Sequence, residues 1–286
     1  MPDTSILIGV DGGGTGCRVA VGTRAEGIRA QAEGGAANVT TDFDLAIRNL
    51  LSTIDTACRR AGIDDLSAGV RLHLGLAGVL SEKDASRVAA ALPFAQVTVT
   101  DDCTTALAGA LGGRDGYLVS AGTGSFVAAR KNGVASSVGG WGFQISDQGS
   151  GAWLGRNALE SVLLCHDGLK EHSPLTHALL ESFSCDPARL VHFAKTAGAG
   201  DFAALAPQIV NAAKAGDAIA APLMKRGADY LQNALTRSGF TSGNRLCFTG
   251  GIGPHYADHF PSEMLTNRVT PKGTPLDGAF FLAANC

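Results

Sequence analysis

The chain has 286 residues, of which 45% are hydrophobic and 17% are charged, and its formal net charge is −3. This composition can supply the core of one large domain or two modest ones, and it excludes a globally disordered chain. There is no long Lys/Arg run, no secretory signal pattern and no stretch of ~20 apolar residues, so we expect a cytoplasmic protein that binds neither nucleic acid nor a membrane.

An apolar run, a glycine turn and a second β-rich run open the chain. Ser5–Val10 leads into Asp11-Gly-Gly-Gly-Thr-Gly, and alternation resumes in Cys17–Gly22, which predicts a hairpin with a glycine tip. The other predicted elements of this half are the strands Ile28–Glu33, Arg71–Leu76 and Gln96–Thr100 and the helices Thr41–Ala61, Ser81–Leu92 and Cys103–Leu111.

The same device recurs in the second half of the chain. The predicted strand Tyr117–Ser120 leads into Ala121-Gly-Thr-Gly-Ser. This repetition indicates an α/β protein with two related halves facing one another, and we place the domain boundary near Ala106. The later predicted elements are the strands Phe126–Arg130, Val134–Val138 and Arg245–Phe248 and the helices Ala152–Leu164, Pro174–Glu181, Asp201–Ala215, Ala218–Ser238 and Leu276–Ala284.

The first glycine turn is a candidate phosphate-binding site. Gly12, Gly13 and Gly14 expose successive backbone N–H groups, and Thr15 adds a hydroxyl donor. Asp11 would repel a phosphate unless a cation lies between them, so we interpret it as a ligand of Mg²⁺ or of its water. The alternative is a tight hairpin without a ligand. Because neither GxxxxGK[ST] nor GxGxxG occurs, phosphate binding would have to use the paired turns.

Several segments, in a fixed order along the chain, resemble one known family. DGGGTGCR (11–18), AGTGS (121–125) and TGGIG (249–253) are similar to the two phosphate loops and the adenosine loop of the acetate/sugar kinase, Hsp70 and actin superfamily. A narrower resemblance, to BadF-type ATPases and N-acetylglucosamine kinases, is carried by AAN (36–38), GLAG (75–78), TDD (100–102), GGWGFQISDQGSGAWLG (139–155) and the PLDGA (275–279) that starts a closing helix.

This resemblance implies a fold and an activity. The fold is two ribonuclease H-like domains of the actin-like ATPase type with a nucleotide cleft between them, made of residues 1–105 rejoined by 275–286 and of residues 106–274. The implied enzyme is a sugar kinase that uses ATP and Mg²⁺ and converts N-acetylglucosamine to its 6-phosphate, with glucosamine or another hexose as the alternative substrate. A homodimer is implied by the family alone.

The resemblance also implies which residues contact the nucleotide. The two glycine turns would hold its phosphates from opposite sides, and the third glycine-rich segment would lie against its adenosine. The implied contacts are Gly13, Gly14, Thr15, Gly122, Thr123, Gly124, Ser125, Gly250 and Gly251.

The candidate catalytic base follows the strand Gln96–Thr100, at the carboxyl end where α/β proteins place ligands. Asp101 and Asp102 compete for this role. The base of the family directly precedes a helix of small residues, which favours Asp102, and the other aspartate is expected to cap that helix. Thr100 stands where the family often has Asn.

Three further residues are candidate sugar contacts. Asn38 and Asp147 can each hold hydroxyl groups of a hexose, and Trp141 can wall the sugar or an acetyl group. The alternatives are a turn residue for Asn38 and a half-buried aromatic for Trp141. The family has GDEGSG where SDQGSG stands here, so Ser146 and Gln148 could change the accepted sugar.

Two rival functions share the implied fold. One is an ATPase activator that passes electrons to a 2-hydroxyacyl-CoA dehydratase from a [4Fe-4S] cluster held by closely placed cysteines. The seven cysteines of this chain lie at least 20 residues apart and argue against it. The other rival is a non-catalytic sugar sensor, against which the retained Asp11, Asp102 and both Gly-Thr-Gly turns argue.

Overall fold

The computed structural model describes residues 5–63 and 69–285. Its strands are β1 (Ile6–Gly12), β2 (Cys17–Thr23), β3 (Gly27–Gly34), β4 (Val70–Leu76), β5 (Gln96–Asp101), β6 (Gly116–Ala121), β7 (Ser125–Lys131), β8 (Val134–Gly139), β9 (Leu246–Thr249) and β10 (Arg268–Val269). Its α-helices are α1 (Phe43–Arg60), α2 (Glu82–Ala90), α3 (Asp102–Leu111), α4 (Gly151–His166), α5 (Pro174–Ser182), α6 (Pro187–Thr196), α7 (Ala199–Ala203), α8 (Ala206–Lys214), α9 (Ala220–Arg237), α10 (Gly253–Tyr256) and α11 (Pro275–Asn285).

The chain divides into two compact units with separate hydrophobic cores. The first unit comprises Met1–Asp115, Arg130–Ser136 and Thr270–Cys286, and the second comprises Gly116–Ala129 and Ser137–Val269. The chain thus leaves the first unit after Asp115, whereas the sequence placed a boundary near Ala106. The reason is that the whole of α3 packs in the first unit against α11.

The first unit contains a five-stranded mixed sheet in the order β3-β2-β1-β4-β5. β1 pairs antiparallel with β2 and parallel with β4, and β5 extends the sheet in parallel. The carboxyl ends of β1, β4 and β5 therefore lie at one edge of the sheet. This edge carries Asp11, Asp101 and the first residue of α3, Asp102.

The second five-stranded sheet repeats the plan of the first. Its order, read from one side, is β8-β7-β6-β9-β10, with β9 parallel to both β6 and β10. These strands correspond one by one to β3-β2-β1-β4-β5, and a glycine turn follows the central strand in both sheets. The predicted α/β class with two related halves is confirmed.

Local sequence signals explain where several helices begin. Asp42 and Ser81 accept hydrogen bonds from backbone N–H groups in the first turns of α1 and α2. Ser173 forms a reciprocal capping box with Thr176 and is followed by Pro174 at the first position of α5.

The closing helix α11 packs on the first sheet and on α3 through glycines. At Gly9 of β1 a Cβ would overlap the backbone of Phe280, and at Gly278 it would overlap the carbonyl oxygen of Thr105. Only glycine allows these close backbone approaches, so both positions are fixed by packing.

The helical part of the second unit differs from the sequence expectation. The predicted helix Asp201–Ala215 is wrong as one element, because it is two helices, α7 and α8, that meet near Pro207. Proline at the second position of α8 favours a new helix start there. The helix α6 was missed, although Asp186 before Pro187 is a start signal. Within residues 5–63 and 69–285, no helix is both long and apolar enough to cross a membrane.

Candidate active site

The first glycine turn joins β1 to β2 and is tied to the loops around it. The turn is closed by a hydrogen bond from the N–H of Gly13 to the carbonyl oxygen of Gly16, at 2.8 Å. The carbonyl oxygens of Gly12 and Gly13 accept hydrogen bonds from Ala77 and Ala37, at 2.8 and 2.9 Å. The turn is therefore a defined backbone structure that two neighbouring loops hold in place.

The packing of the described residues does not require glycine at position 14. A Cβ on Gly14 would meet nothing within 4 Å, and the residue does not have a positive φ. In contrast, a Cβ on Gly12 would lie 2.6 Å from Leu76 Cδ2. Gly14 and Thr15 are exposed, so the tip leaves open room where a side chain would otherwise project. Such an open cradle of backbone and hydroxyl groups suits an anion.

Asp11 lies at the end of β1 and pairs with Arg18 across the hairpin. Arg18 Nη2 donates to Asp11 Oδ2 at 2.9 Å, and the two residues are direct partners in the β1–β2 register. Burial raises the pKa of Asp11, and the Arg18 guanidinium opposes that rise. No role for Arg18 was predicted from the sequence, although the alternation of β2 places it opposite Asp11.

The two candidate bases have different environments. Asp101 is the N-cap of α3, where its Oδ1 accepts hydrogen bonds from the N–H and the hydroxyl of Thr104, at 2.8 and 2.6 Å. Asp102 is the first helical residue, and its carboxyl group interacts with its own backbone N–H and with the weak thiol donor of Cys103, which lies 3.8 Å from Oδ1. The capping role thus falls on Asp101, which leaves the carboxylate of Asp102 available to a ligand.

The pKa of Asp102 is raised to about 6. Burial is the main cause, and the negative charges of Asp101 and Asp11 add to it. The parallel pairing of β1, β4 and β5 brings the end of β1 and the β5–α3 junction, distant in sequence, to the same edge of the first sheet, where Asp11, Asp101 and Asp102 form one acidic region. A carboxylate with a pKa near neutrality can accept a proton at physiological pH, as a general base must.

The side chain of Asn38 is engaged in a turn. Its Oδ1 accepts hydrogen bonds from the N–H groups of Thr40 and Thr41, at 3.0 and 3.2 Å, and from the Thr40 hydroxyl at 2.7 Å. This is the local turn role that the sequence offered as the alternative. Any sugar contact by Asn38 therefore has to use its amide nitrogen.

In the second unit, backbone hydrogen bonds close the glycine turn between β6 and β7 and connect it to the start of α4. Gly122 donates to Gly124 at 2.9 Å, and the carbonyl oxygens of Gly122 and Thr123 accept from the first residues of α4, at 2.7 and 3.3 Å. Thr123 is exposed, whereas Ser125 is buried and its hydroxyl donates to the carbonyl oxygen of Gln148 at 2.8 Å. Ser125 thus fixes the turn to the following loop by its side chain.

The third glycine segment packs beside this turn. Gly250 has a φ of 81°, and a Cβ there would overlap the carbonyl of Ala121, so glycine is required by the fold. Ile252 donates to the same carbonyl oxygen at 2.9 Å. Gly251 is exposed, and a Cβ on it would meet nothing within 4 Å. The open surface of this segment is therefore at Gly251.

Asp147 lies in a tight loop next to the second glycine turn. It is 6% exposed with a φ of 62°, and its Oδ1 accepts a hydrogen bond from the N–H of Gly142 at 3.2 Å. Its Oδ2 lies 2.8 Å from where a Cβ of Gly124 would be. Burial raises the pKa of Asp147. The loop thus places a constrained carboxylate against the turn that Gly124 belongs to.

Two large apolar side chains project from this loop. Trp141 is 66% exposed and Ile145 is 84% exposed, while Phe143 between them packs against Phe202 with ring centroids 5.1 Å apart. Trp141 is therefore not the half-buried aromatic that the sequence offered as the alternative. Ile145 was not singled out from the sequence, because apolar residues in a glycine-rich loop gave no sign of which one projects.

The repeated sheet plan with a glycine turn after each central strand defines the two-domain actin-like ATPase fold. A sequence profile of the BadF/BadG/BcrA/BcrD ATPase family matches residues 8–270, and the chain belongs to that family.

Curated and solved relatives cover nearly the whole chain. The glucosamine kinase GspK of Vibrio cholerae is 33% identical, over 96% of this chain and 95% of the relative. The N-acetyl-D-glucosamine kinase of Dictyostelium discoideum is 28% identical, over 98% of each chain. A crystal structure from Chromobacterium violaceum, provisionally named an N-acetylglucosamine kinase, is 32% identical, with a TM-score of 0.89 over 99% of this chain and all of the other.

Proposed function

We propose that the protein is an ATP-dependent kinase that transfers the γ-phosphoryl group of ATP to an amino sugar. The observation that carries the proposal is Asp102, a carboxylate left free of capping, with a pKa of about 6, beside an open glycine turn in the same unit. The names of the full-length relatives support the amino sugar as acceptor. The finer proposal is N-acetylglucosamine, phosphorylated on its 6-hydroxyl.

Asp102 is the general base in this proposal. Its carboxylate accepts the proton of the sugar hydroxyl while the hydroxyl oxygen bonds to the γ-phosphorus, and the bond from that phosphorus to the β-phosphate oxygen breaks to release ADP. Base catalysis of this kind contributes roughly 10²–10⁴-fold. Asp101 serves the reaction indirectly, by capping α3 and by raising the pKa of its neighbour.

The nucleotide contacts that we propose are backbone groups with exposed hydroxyls. In the first unit they are Gly13, Gly14 and Thr15, and in the second unit the exposed Thr123 and Gly251 have the most open positions. The remaining proposed contacts, Gly122, Gly124, Ser125 and Gly250, shape these turns by their packing and hydrogen bonds.

Asp11 fits the proposed magnesium site. Mg²⁺ is bound in kinases by one or two carboxylates together with waters and phosphates, and Asp11 offers a partly buried carboxylate directly before the glycine turn. When bound, the ion neutralises phosphate charge. Arg18 keeps the Asp11 carboxylate oriented through its hydrogen bond to Oδ2.

The proposed sugar contacts are Asp147, the amide nitrogen of Asn38 and the exposed face of Trp141. The constrained position of Asp147 supports its role, because a buried carboxylate can hold two hydroxyls in fixed directions. The exposure of Trp141 supports an aromatic wall, since a large apolar surface in water favours a ligand that covers it.

A coupled ADP-release assay with Mg·ATP tests the function. N-acetylglucosamine, glucosamine, glucose, N-acetylmannosamine and no sugar form the panel, and ³¹P NMR of the product identifies the phosphorylated hydroxyl. We expect Asp102→Asn to lose at least ~10²-fold in kcat, and Asp101→Asn, which keeps the cap, to retain most of it. Equal hydrolysis with and without every sugar would overturn the kinase proposal.

Glucosamine is the second candidate substrate. It is favoured by the full-length match to a relative named glucosamine kinase. The same panel decides between the two, because the sugar with the higher kcat/KM is the acceptor.

A further inference from the structure

A histidine is buried in the middle of the first sheet. His73 lies on β4, is 2% exposed, and has Leu72 and Leu74 as chain neighbours, both inside the core. Burial lowers its pKa to about 4, so the ring is neutral at physiological pH. A neutral imidazole in a core has to use both its nitrogen atoms as hydrogen-bonding groups, one as donor and one as acceptor.

The ring contacts Thr100, the penultimate residue of β5. His73 Nε2 lies 3.2 Å from Thr100 Oγ1, and that hydroxyl lies 3.0 Å from the carbonyl oxygen of Asp101 and 3.5 Å from that of Leu74. A carbonyl oxygen only accepts, and the hydroxyl has a single proton. The arrangement that joins the ring to the Asp101 carbonyl is therefore the one in which Thr100 donates to that carbonyl and accepts from Nε2–H of His73.

The chain of hydrogen bonds ends at the junction that carries the proposed base. Asp101 and Asp102 follow Thr100 directly, and β4 supports the first turn of α3 at a second point. At Gly75, two residues after His73 and on the same face of β4, a Cβ would overlap the side chain of Thr105. Thr105 in turn donates from its hydroxyl to the carbonyl oxygen of Asp102, at 3.0 Å. The adjacent strand β4 therefore contacts both sides of the β5–α3 junction, at Thr100 through His73 and at Thr105 through Gly75.

We propose that His73 and Thr100 are a positioning pair that fixes the backbone at Asp101, and thereby the direction in which Asp102 presents its carboxylate. The inference rests on the proposed function, in which Asp102 is the base. His73 is too deep to meet substrate, so it acts only through Thr100. The pair matters because a proton acceptor has to lie within hydrogen-bond reach of the sugar hydroxyl, and a small displacement of it lowers the rate.

The decisive comparison is Thr100→Val against Thr100→Ser. Valine keeps the branched shape and removes the hydroxyl, whereas serine keeps the hydroxyl. We expect Thr100→Val to lower kcat about 10-fold or more with little change in the KM for ATP, and Thr100→Ser to retain most of the wild-type kcat. Thr98→Val is the matched control, because Thr98 is exposed on the same strand and should tolerate the change.

A double-mutant cycle tests whether His73 acts through Thr100. We expect His73→Leu to lower kcat to a similar degree, and the double variant His73→Leu/Thr100→Val to be no slower than the worse single variant. Losses in kcat that multiply would overturn the pair. If His73→Leu does not fold, the comparison of valine with serine at position 100 decides alone.

NMR of ¹⁵N-histidine protein provides a readout that is independent of activity. We expect His73 as the neutral Nε2–H tautomer in the wild type and in Thr100→Ser, and a shifted Nε2 signal in Thr100→Val. An Nδ1–H tautomer in the wild type would contradict the pair, whatever the enzyme phosphorylates.

These experiments distinguish a failure of the proposed function from a failure of the positioning pair. A wild-type protein that phosphorylates no sugar defeats the proposed function. A wild-type protein that is an active kinase, with Thr100→Val as fast as Thr100→Ser, leaves the function standing and defeats the positioning pair.

Discussion

The hydroxyl group of Tyr256 lies against the backbone of Gly227, where any Cβ would overlap it. The ring is fully buried, and among residues 5–63 and 69–285 its oxygen has no hydrogen-bond partner. The Tyr256 ring joins α10, which follows the third glycine segment, to the middle of α9. The close packing of the Tyr256 ring against α9 therefore leaves its buried hydroxyl group without a hydrogen bond from or to the described residues.

Removing that hydroxyl should stabilise the protein. We expect Tyr256→Phe to raise the free energy of unfolding by about 1–2 kcal/mol, because a buried hydroxyl without a partner carries its desolvation cost uncompensated. Urea denaturation measures the change. Tyr117→Phe is the control, since the Tyr117 hydroxyl donates to the carbonyl oxygen of Gly239 at 2.8 Å and its loss should destabilise. A loss of stability in both variants would mean that the Tyr256 hydroxyl is satisfied.

Alanine at two glycines of the first unit should affect different properties: stability at position 278 and ATP binding at position 14. Gly278→Ala should lower the free energy of unfolding by about 1–3 kcal/mol, because its Cβ would overlap the Thr105 carbonyl oxygen between α11 and α3. Gly14→Ala should leave stability nearly unchanged, because its Cβ meets open space, and should raise the KM for ATP. Thermal melts and ATP titrations separate the two effects. A normal KM in Gly14→Ala would count against phosphate binding at the turn.

Replacing the proposed base should stabilise the fold above neutral pH. The folded-state pKa of Asp102 is about 6 against an ordinary value of 3.8, so ionising it in the folded protein costs up to about 3 kcal/mol. Wild-type stability from this group is therefore greatest below pH 3.8 and falls as the pH rises to 6. Asp102→Asn removes the dependence, so it should be more stable than wild type at pH 8 and not at pH 4. Urea titrations at both pH values check this, and a variant less stable at pH 8 would contradict it.

The pH dependence of catalysis should shift when Asp101 is neutralised. With Asp102 as base, kcat/KM for the sugar should fall as the pH drops below about 6. Asp101→Asn removes a like charge that raises the pKa of Asp102, so the fall should move to lower pH, while asparagine still caps α3. Asp44→Asn, at an exposed position in α1, is the control. An unmoved profile in Asp101→Asn would speak against Asp102 as the titrating group.

Much of the fold was predictable because its signals are local. The two glycine turns between β-rich runs located the central hairpins of both sheets, and Ser81 located the start of α2. The split between α7 and α8 was not predicted, because apolar spacing runs through Pro207, although a proline at the second position of a helix is itself a start signal. The equal strand order of the two sheets also depends on long-range pairing that spacing does not encode.

The sequence predicted which segments form the candidate site, but not which side-chain atoms are available to a ligand. Sequence order placed Asp101 and Asp102 after a strand, but only the cap geometry shows which of them is occupied. The engagement of the Ser125 hydroxyl with Gln148 and of the Asn38 oxygen with its own turn required coordinates, since both residues are equally able to bind a ligand. His73 reads as an ordinary member of an apolar strand until its contact with Thr100 is seen.

The two sheets share one strand order, yet only one of them ends in acids. The first carries Asp11 and Asp101 at the ends of β1 and β5, where the corresponding strands of the second, β6 and β10, end in Ala121 and Val269. The second unit also has a buried carboxylate, Asp147, but a loop rather than a strand end carries it against the glycine turn. The shared strand order therefore does not determine where each half carries its acids, since each places a carboxylate near its own glycine turn from a different structural element.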